Sequence, residues 1–266
     1  MPELPEVETI KRELESALIG KKIVDVLLND SRIIRGISPG VLKHGVKGAV
    51  IRTIIRKAKS LILELSNGRA LFIHLKMTGQ LVYPGMGKNS KVSFIFSGGD
   101  ILDFNDQRLF AELRLLKDWH SFTFIQKLGC EPLEVSFPEF KKLITGKKTK
   151  IKPLLMDQAC IAGIGNLYAA EILFRARIHP ERRACSLSDG EIKTLFNEIG
   201  SVLRKAIACG GSSVDTYVRL SGKRGEYIRY HKVYGREGLP CCVCKTPVTR
   251  NTVGGRGTYF CRTCQT

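Results

Sequence analysis

The chain has 266 residues, of which 43 are Lys or Arg, 25 are Asp or Glu, and 43% are hydrophobic. At roughly 100 to 200 residues per domain, this length and apolar content suit about two folded units with real cores and exclude a wholly disordered chain. A formal charge of +18 projects a positive field that concentrates polyanions, so nucleic acid is the expected partner.

The opening MPELPEVETIKRELESALIG is charged from its third residue and has no apolar stretch of the kind a secretory signal needs. No window approaches the roughly 18 uninterrupted apolar residues of a membrane span. A soluble, intracellular protein is the expectation. Within this segment Val7, Ile10, Leu14 and Leu18 recur at intervals of three and four, which predicts a helix from about Pro2 to Leu18. Pro2 and Pro5 suit its first turn.

From Lys22 to about Phe104 the texture changes to the short runs KIVDVLL, VIRTII, SLILEL, RALFIHL, KVSFIF and DILDF, which read as strands. Ser66-Asn67-Gly68 and Ser97-Gly98-Gly99-Asp100 are hairpin signals, so antiparallel pairing in a β-sandwich or flattened barrel follows. Beyond about Cys130 the pattern turns helical, at Pro138 to Ile144, Lys152 to Ala159, Leu167 to Arg175 and Ser188 to Ala208. Ser188 followed by Glu191 fits a capping box. The stretch Gly129 to Ser136 is the expected hinge.

Five of the nine cysteines crowd into the last 26 residues. Cys241-x-x-Cys244 and Cys261-x-x-Cys264 are separated by 16 residues, a spacing that suits four thiolates around one structural zinc ion. A reducing compartment argues against two disulfides instead. Cys242 is off the spacing and reads as a bystander. Between the pairs, two β-prone runs flank Gly254-Gly255, which predicts a hairpin presenting Arg256 near its tip. Zinc alone does not specify nucleic acid. From Tyr217 onward, however, ten Lys or Arg stand against two acids, as a surface that tracks phosphates requires.

In AGIGNLYAAE, Ala162 to Glu171, the glycines permit a tight turn, and Asn166 is placed to cap a helix whose first amides suit a phosphate. Taken alone, the motif is better explained as a plain helix start. The preceding Lys147, Lys148, Lys150 and Lys152 fit either an anion site or a solvated face.

MPELPEVET, HLKMTG at His74 to Gly79, GIGNLYAAE and the four-cysteine finger occur in this order along the whole chain. Together they resemble the bacterial formamidopyrimidine-DNA glycosylases, which repair oxidised purines, and their sister group, endonuclease VIII. Leu4 resembles the purine-directed branch, since the sister branch commonly has Gly there. The resemblance implies an α+β fold. It comprises an N-terminal catalytic β-sandwich with flanking helices (1–130), a helical domain with a helix-two-turns-helix motif (131–235) and a four-cysteine zinc-finger β-hairpin (236–266).

It also implies a bifunctional glycosylase and abasic-site lyase. Removal of Met1 would free the imino nitrogen of Pro2 as nucleophile, with Glu3 as the acid that protonates the opening sugar. Lys59 matches a strand-borne lysine of β-elimination, and Arg256 the finger arginine linked to phosphate binding and δ-elimination. Met77, Arg108 and Phe110 match the trio that fills the void behind an everted base. His74, Asn89, Lys147, Lys152 and Asn166 would grip DNA, and the segment from about Val218 to Tyr230 corresponds to a loop over an everted purine. Damaged double-stranded DNA is the implied partner, bound by a monomer without an obligate protein partner in the bacterial cytoplasm.

Three departures from the family pattern stand out. Asn89-Ser90-Lys91-Val92 replaces His-Asp-His-Val, and Asp106-Gln107-Arg108-Leu109-Phe110-Ala111 replaces Asp-Pro-Arg-Arg-Phe-Gly. Cys130 stands for a usual proline.

Overall fold

The structure, a computed structural model, describes every residue except Asn89. By compactness the chain forms two units. One comprises Met1–Lys127 with Cys209–Glu226, the other Leu128–Ala208 with Tyr227–Thr266. Among the described residues no helix is long and apolar enough to cross a membrane.

The first unit opens with α1 (Leu4–Leu18), followed by β1 (Ile23–Leu28), α2 (Pro39–Val46), β2 (Ile51–Lys57), β3 (Ser60–Leu65), β4 (Ala70–His74), β5 (Gly79–Val82), β6 (Val92–Phe96), β7 (Ile101–Asp106), β8 (Glu112–Leu116) and the single turn α3 (Thr123–Gln126). The strands form two antiparallel four-stranded sheets, ordered β1-β6-β7-β5 and β2-β3-β4-β8. One core joins Val26, Phe94, Phe96 and Phe104 of the first sheet to Ile54, Leu61, Leu63 and Ile73 of the second. Val7, Ile10, Leu14 and Leu18 of α1 belong to it too. The helical stripe read from the sequence is therefore the buried face of α1.

Ile62, Ala70 and Phe72, on the other face of the second sheet, are covered by Trp119. Burial on both faces explains why SLILEL and ALFIH are apolar almost throughout instead of alternating. The two expected hairpins close β3 to β4 and β6 to β7. Pattern reading misses α2, whose glycines at 40 and 45 mask a helix capped by Ser38, and the short strands β5 and β8.

Residues 209–226 join this unit through specific bonds. Glu13 of α1 accepts from Arg219 Nε (2.6 Å) and the Leu220 N–H (2.8 Å), and the Tyr83 N–H donates to the Leu220 carbonyl (2.8 Å).

The second unit contains α4 (Phe137–Ile144), α5 (Ile151–Met156), α6 (Asn166–Arg175), α7 (Asp189–Ala208) and the hairpin β9 (Thr249–Val253) and β10 (Arg256–Phe260). Ser188 and Glu191 form the expected capping box, and Ser136 and Glu139 form a second. The helix expected to run to Ala159 stops at Met156. Asp157 turns extended and its carboxylate accepts from the Ala159 N–H (3.0 Å), so the side chain competes with the helix for backbone donors. Asn166 is not the cap of α6. Gly165 holds that position and Asn166 is the first helical residue. Glu171, fully buried, accepts from three successive N–H groups, Lys232 (2.8 Å), Val233 (3.0 Å) and Tyr234 (2.8 Å), and so orders the chain leading into the hairpin.

Candidate active site and nucleic-acid interface

In the first unit, the start of α1 is buried at Pro2, Glu3 and Glu6, while Met1 is exposed. Glu3 is the N-cap. Its carboxylate accepts from the Glu6 N–H, and Glu6 Oε2 accepts in return from the Glu3 N–H at 2.8 Å. This reciprocal pair satisfies donors that a helix start leaves without partners and fixes the backbone beside Pro2. Glu6 Oε1 also takes the Ser212 N–H at 2.8 Å. The preceding Gly211 sits at φ +79°, and a Cβ there would fall 2.9 Å from both Glu6 Cγ and the Tyr217 ring, so only glycine fits this approach.

Lys59 is buried, but not on a strand as expected. Lys57 pairs with Ser60, so Ala58 and Lys59 are the two-residue turn between β2 and β3. Ala58 takes φ 52°, an uncommon conformation for a residue with a Cβ. The buried Arg56 guanidinium bonds to the Ala58 carbonyl (3.1 Å) and to Glu8 of α1 (2.9 Å), and so ties the turn that carries Lys59 to the helix that begins beside Pro2.

His74 pairs with Ser60 across the sheet and therefore lies beside this turn. Its Nδ1 accepts from the Lys76 N–H (3.0 Å), which leaves the ring proton on Nε2. Burial, reinforced by the nearby Lys76 charge, lowers the imidazole to about 3, so the ring is neutral at cellular pH.

Met77, Arg108 and Phe110 come together at the surface. Arg108 Nη1 is 3.3 Å from Met77 Sδ, and its guanidinium carbon lies 4.7 Å from the Phe110 ring centre. Asn89 lies outside the described residues. Earlier in the sequence, the segment at Met86 and Gly87 is held by Asp103, which accepts from the N–H groups of Met86 (2.9 Å) and Gly87 (3.1 Å).

In the second unit, Lys147 is exposed and Lys152 is fully buried. Lys152 therefore does not lie on a surface open to a phosphate. Its ammonium donates to Asn166 Oδ1 (2.5 Å) and to Thr258 Oγ1 of β10 (2.6 Å), while Asn166 Nδ2 donates to the Gly257 carbonyl (3.0 Å). These bonds lock the hairpin to α5 and α6. Arg256 is exposed at the start of β10, next to the Gly254-Gly255 tip and one residue from the Gly257 carbonyl that Asn166 holds. Lys152 and Asn166, both expected from the sequence to grip DNA, thereby also form the mount of the hairpin that carries Arg256.

Cys241, Cys244, Cys261 and Cys264 bring their sulfurs within 4.8 Å of one another, with Sγ separations of 3.8 Å (Cys241 to Cys264) and 3.4 Å (Cys244 to Cys261). A tetrahedron of Zn–S bonds near 2.3 Å has edges of about 3.8 Å, so the four thiolates fit one structural zinc ion. Cys242 is exposed and outside the cluster.

Residues 1–113 match the family described as formamidopyrimidine-DNA glycosylase N-terminal domain. Residues 128–218 match its H2TH domain, and residues 238–266 the zinc finger found in FPG and IleRS. The chain is 40% identical over 266 residues to the formamidopyrimidine-DNA glycosylase of Solibacter usitatus, covering 100% of this chain and 99% of that one. Among solved structures it is similar to the MutM (Fpg) protein of Thermus thermophilus (37% identity, TM-score 0.89, 99% and 98% of the two chains). It is also similar to the Lactococcus lactis Fpg in complex with DNA containing an abasic site (34% identity, TM-score 0.91, 99% of each chain).

Proposed function

Because the chain belongs to the formamidopyrimidine-DNA glycosylase family, we propose that it excises oxidised purines, such as 8-oxoguanine and formamidopyrimidines, from double-stranded DNA and then cleaves the strand. The observation that carries this reading is the reciprocal bonding of Glu3 and Glu6. It supports a fixed, buried position for the first residues of α1, with an acid one residue from the prospective nucleophile.

Removal of Met1 exposes the imino nitrogen of Pro2. Terminal amines have ordinary pKa values of about 7.7 to 8.0, so a substantial fraction is unprotonated at cellular pH. Its lone pair forms a bond to C1′ as the C1′–base bond breaks; the departing base takes the electron pair, and the Pro2 N–H proton passes to the Glu3 carboxylate, which restores the nitrogen lone pair. Glu3 gives a proton to the ring oxygen as the C1′–O4′ bond opens, leaving an iminium between Pro2 and C1′. Loss of the C2′ proton, with Lys59 as base or phosphate holder, expels the 3′-phosphate. Loss of the C4′ proton then expels the 5′-phosphate, and water frees the enzyme. Arg256, always charged, clamps phosphate during these steps, a role better suited to a guanidinium than proton donation.

Met77, Arg108 and Phe110 fill the gap left by the everted nucleotide, and Arg108 meets the orphaned base. The four cysteines hold one zinc ion, whose chemistry here is structural. The protein acts as a monomer on damaged DNA in the bacterial cytoplasm.

Single-turnover assays on matched duplexes test the reading. Release of 8-oxoguanine with a one-nucleotide gap bearing phosphate at both ends is the expected result. Faster release of an oxidised pyrimidine, or base release without strand cleavage, contradicts it.

A further inference from the structure

Asp106 closes β7 and is only 1% exposed. Its Oδ1 accepts from the Thr78 hydroxyl and from the Arg108 N–H (3.2 Å), and its Oδ2 accepts from the Ala111 N–H (2.7 Å). The Arg108 N–H also lies 3.2 Å from Thr78 Oγ1. One buried carboxylate thus holds both ends of the loop from Gln107 to Phe110. Through Thr78 it also holds the residue that follows Met77.

These two loops carry exposed side chains of a kind globular surfaces seldom leave together. Phe110 is 50% exposed and Met77 42%, with Arg108 in contact with both. Between them Leu109, at φ 59°, turns its side chain inward against the core, which directs its two neighbours to solvent. A thioether, a guanidinium and an aromatic ring present flat or pliant faces to unstacked bases. Such an insert works only if its parts hold a fixed spacing, and side-chain contacts at the surface are too weak to set it.

We propose that Asp106 is the positioning residue that couples the Met77 loop to the Arg108–Phe110 loop, so that the three side chains enter a duplex as one rigid wedge. The inference rests on the reading that this trio enters DNA. An amide at position 106 cannot serve the same donors: its NH2 faces either the Ala111 N–H or the Arg108 N–H and Thr78 hydroxyl. One end of the loop is then released and the other side chains lose their register.

The test measures affinity for a duplex containing a tetrahydrofuran abasic analogue and for the same strand unpaired, together with 8-oxoguanine release. Asp106→Asn is expected to weaken duplex binding by about tenfold or more and to slow release in step, while single-strand binding and cleavage of an unpaired abasic strand stay at the wild-type level. In a Met77→Ala/Arg108→Ala/Phe110→Ala background the substitution should cost nothing further. Parallel losses on duplex and single strand, or an undiminished cost in the triple background, overturn the proposal. Thr78→Val tests the same link if Asp106→Asn fails to fold, with Thr78→Ser restoring wild-type duplex binding. Binding to the analogue needs no base release, so a wild-type protein that engages the gap but releases no base overturns the glycosylase reading and leaves this one standing.

Discussion

Glu6 reaches across 206 residues of sequence to hold the Ser212 N–H at 2.8 Å, and with its other oxygen it holds the Glu3 N–H at the same distance. Nothing in the local pattern assigns Glu6 a role beyond lying in the family's opening motif. In the structure it joins the start of α1 to the segment that follows α7.

Replacing Glu6 by Gln puts an amide NH2 against one of two N–H donors and removes a charge-assisted bond. We expect a loss of about 1–3 kcal/mol, read as a lower denaturant midpoint with an unchanged slope. Base release should fall by about 10²-fold as the backbone beside Pro2 loosens. A variant with normal stability and normal release contradicts the assignment.

Lys152 tests whether the mount of Arg256 matters. Lys152→Met removes the ammonium that bonds to Asn166 and Thr258 while keeping its length. The expected variant still carries one zinc ion and binds damaged duplex more weakly, with strand cleavage impaired more than base release. If Lys152 instead acted only as a remote surface charge, raising the salt concentration would erase the difference between variant and wild type.

His74 has a pH signature. Its value falls from 6.5 in the unfolded chain to about 3 in the fold, so the unfolded state takes up a proton that the native state refuses. The stability contributed by the neutral ring is complete above pH 6.5 and is lost as pH falls from there toward 3, at up to about 1.4 kcal/mol per pH unit. His74→Gln should flatten melting temperature against pH between about pH 6 and 4 relative to wild type. Equal slopes in the two proteins would count against a buried neutral imidazole.

The finger yields two linked outcomes. Stripping zinc should unfold the hairpin and release Arg256 from its mount, while Cys242→Ser should retain a full equivalent of the metal. Arg256→Ala with zinc in place should lower the slope of log affinity against log salt by about one, as expected for one lost phosphate contact. A slope equal to that of the wild type would place Arg256 away from the DNA backbone.

What the sequence discloses is local. Ser188 and Glu191, the Asn67-Gly68 and Gly98-Gly99 turns, the stripe of α1 and the paired cysteines each announce themselves within a few residues, and each appears in the structure. Lys59 reads as a strand residue because the turn that carries it uses Ala58 at positive φ, where pattern reading looks for Gly or Asn. Asn166 reads as a cap, yet its side chain serves Lys152 and Gly257, contacts that exist only once α5, α6 and the hairpin have met. Asp103 and Asp106 do leave a trace, as acids inside the apolar run ILDFND. Their task of holding loops depends on turns that follow no local pattern.

The most direct measurement is borohydride trapping on 8-oxoguanine duplex followed by peptide mass spectrometry. The account predicts a reduced covalent adduct on a peptide whose first residue is Pro2, with Met1 gone, and no such adduct after Pro2→Gly. Full activity in protein that retains Met1, or an adduct carried by a lysine side chain, would contradict it.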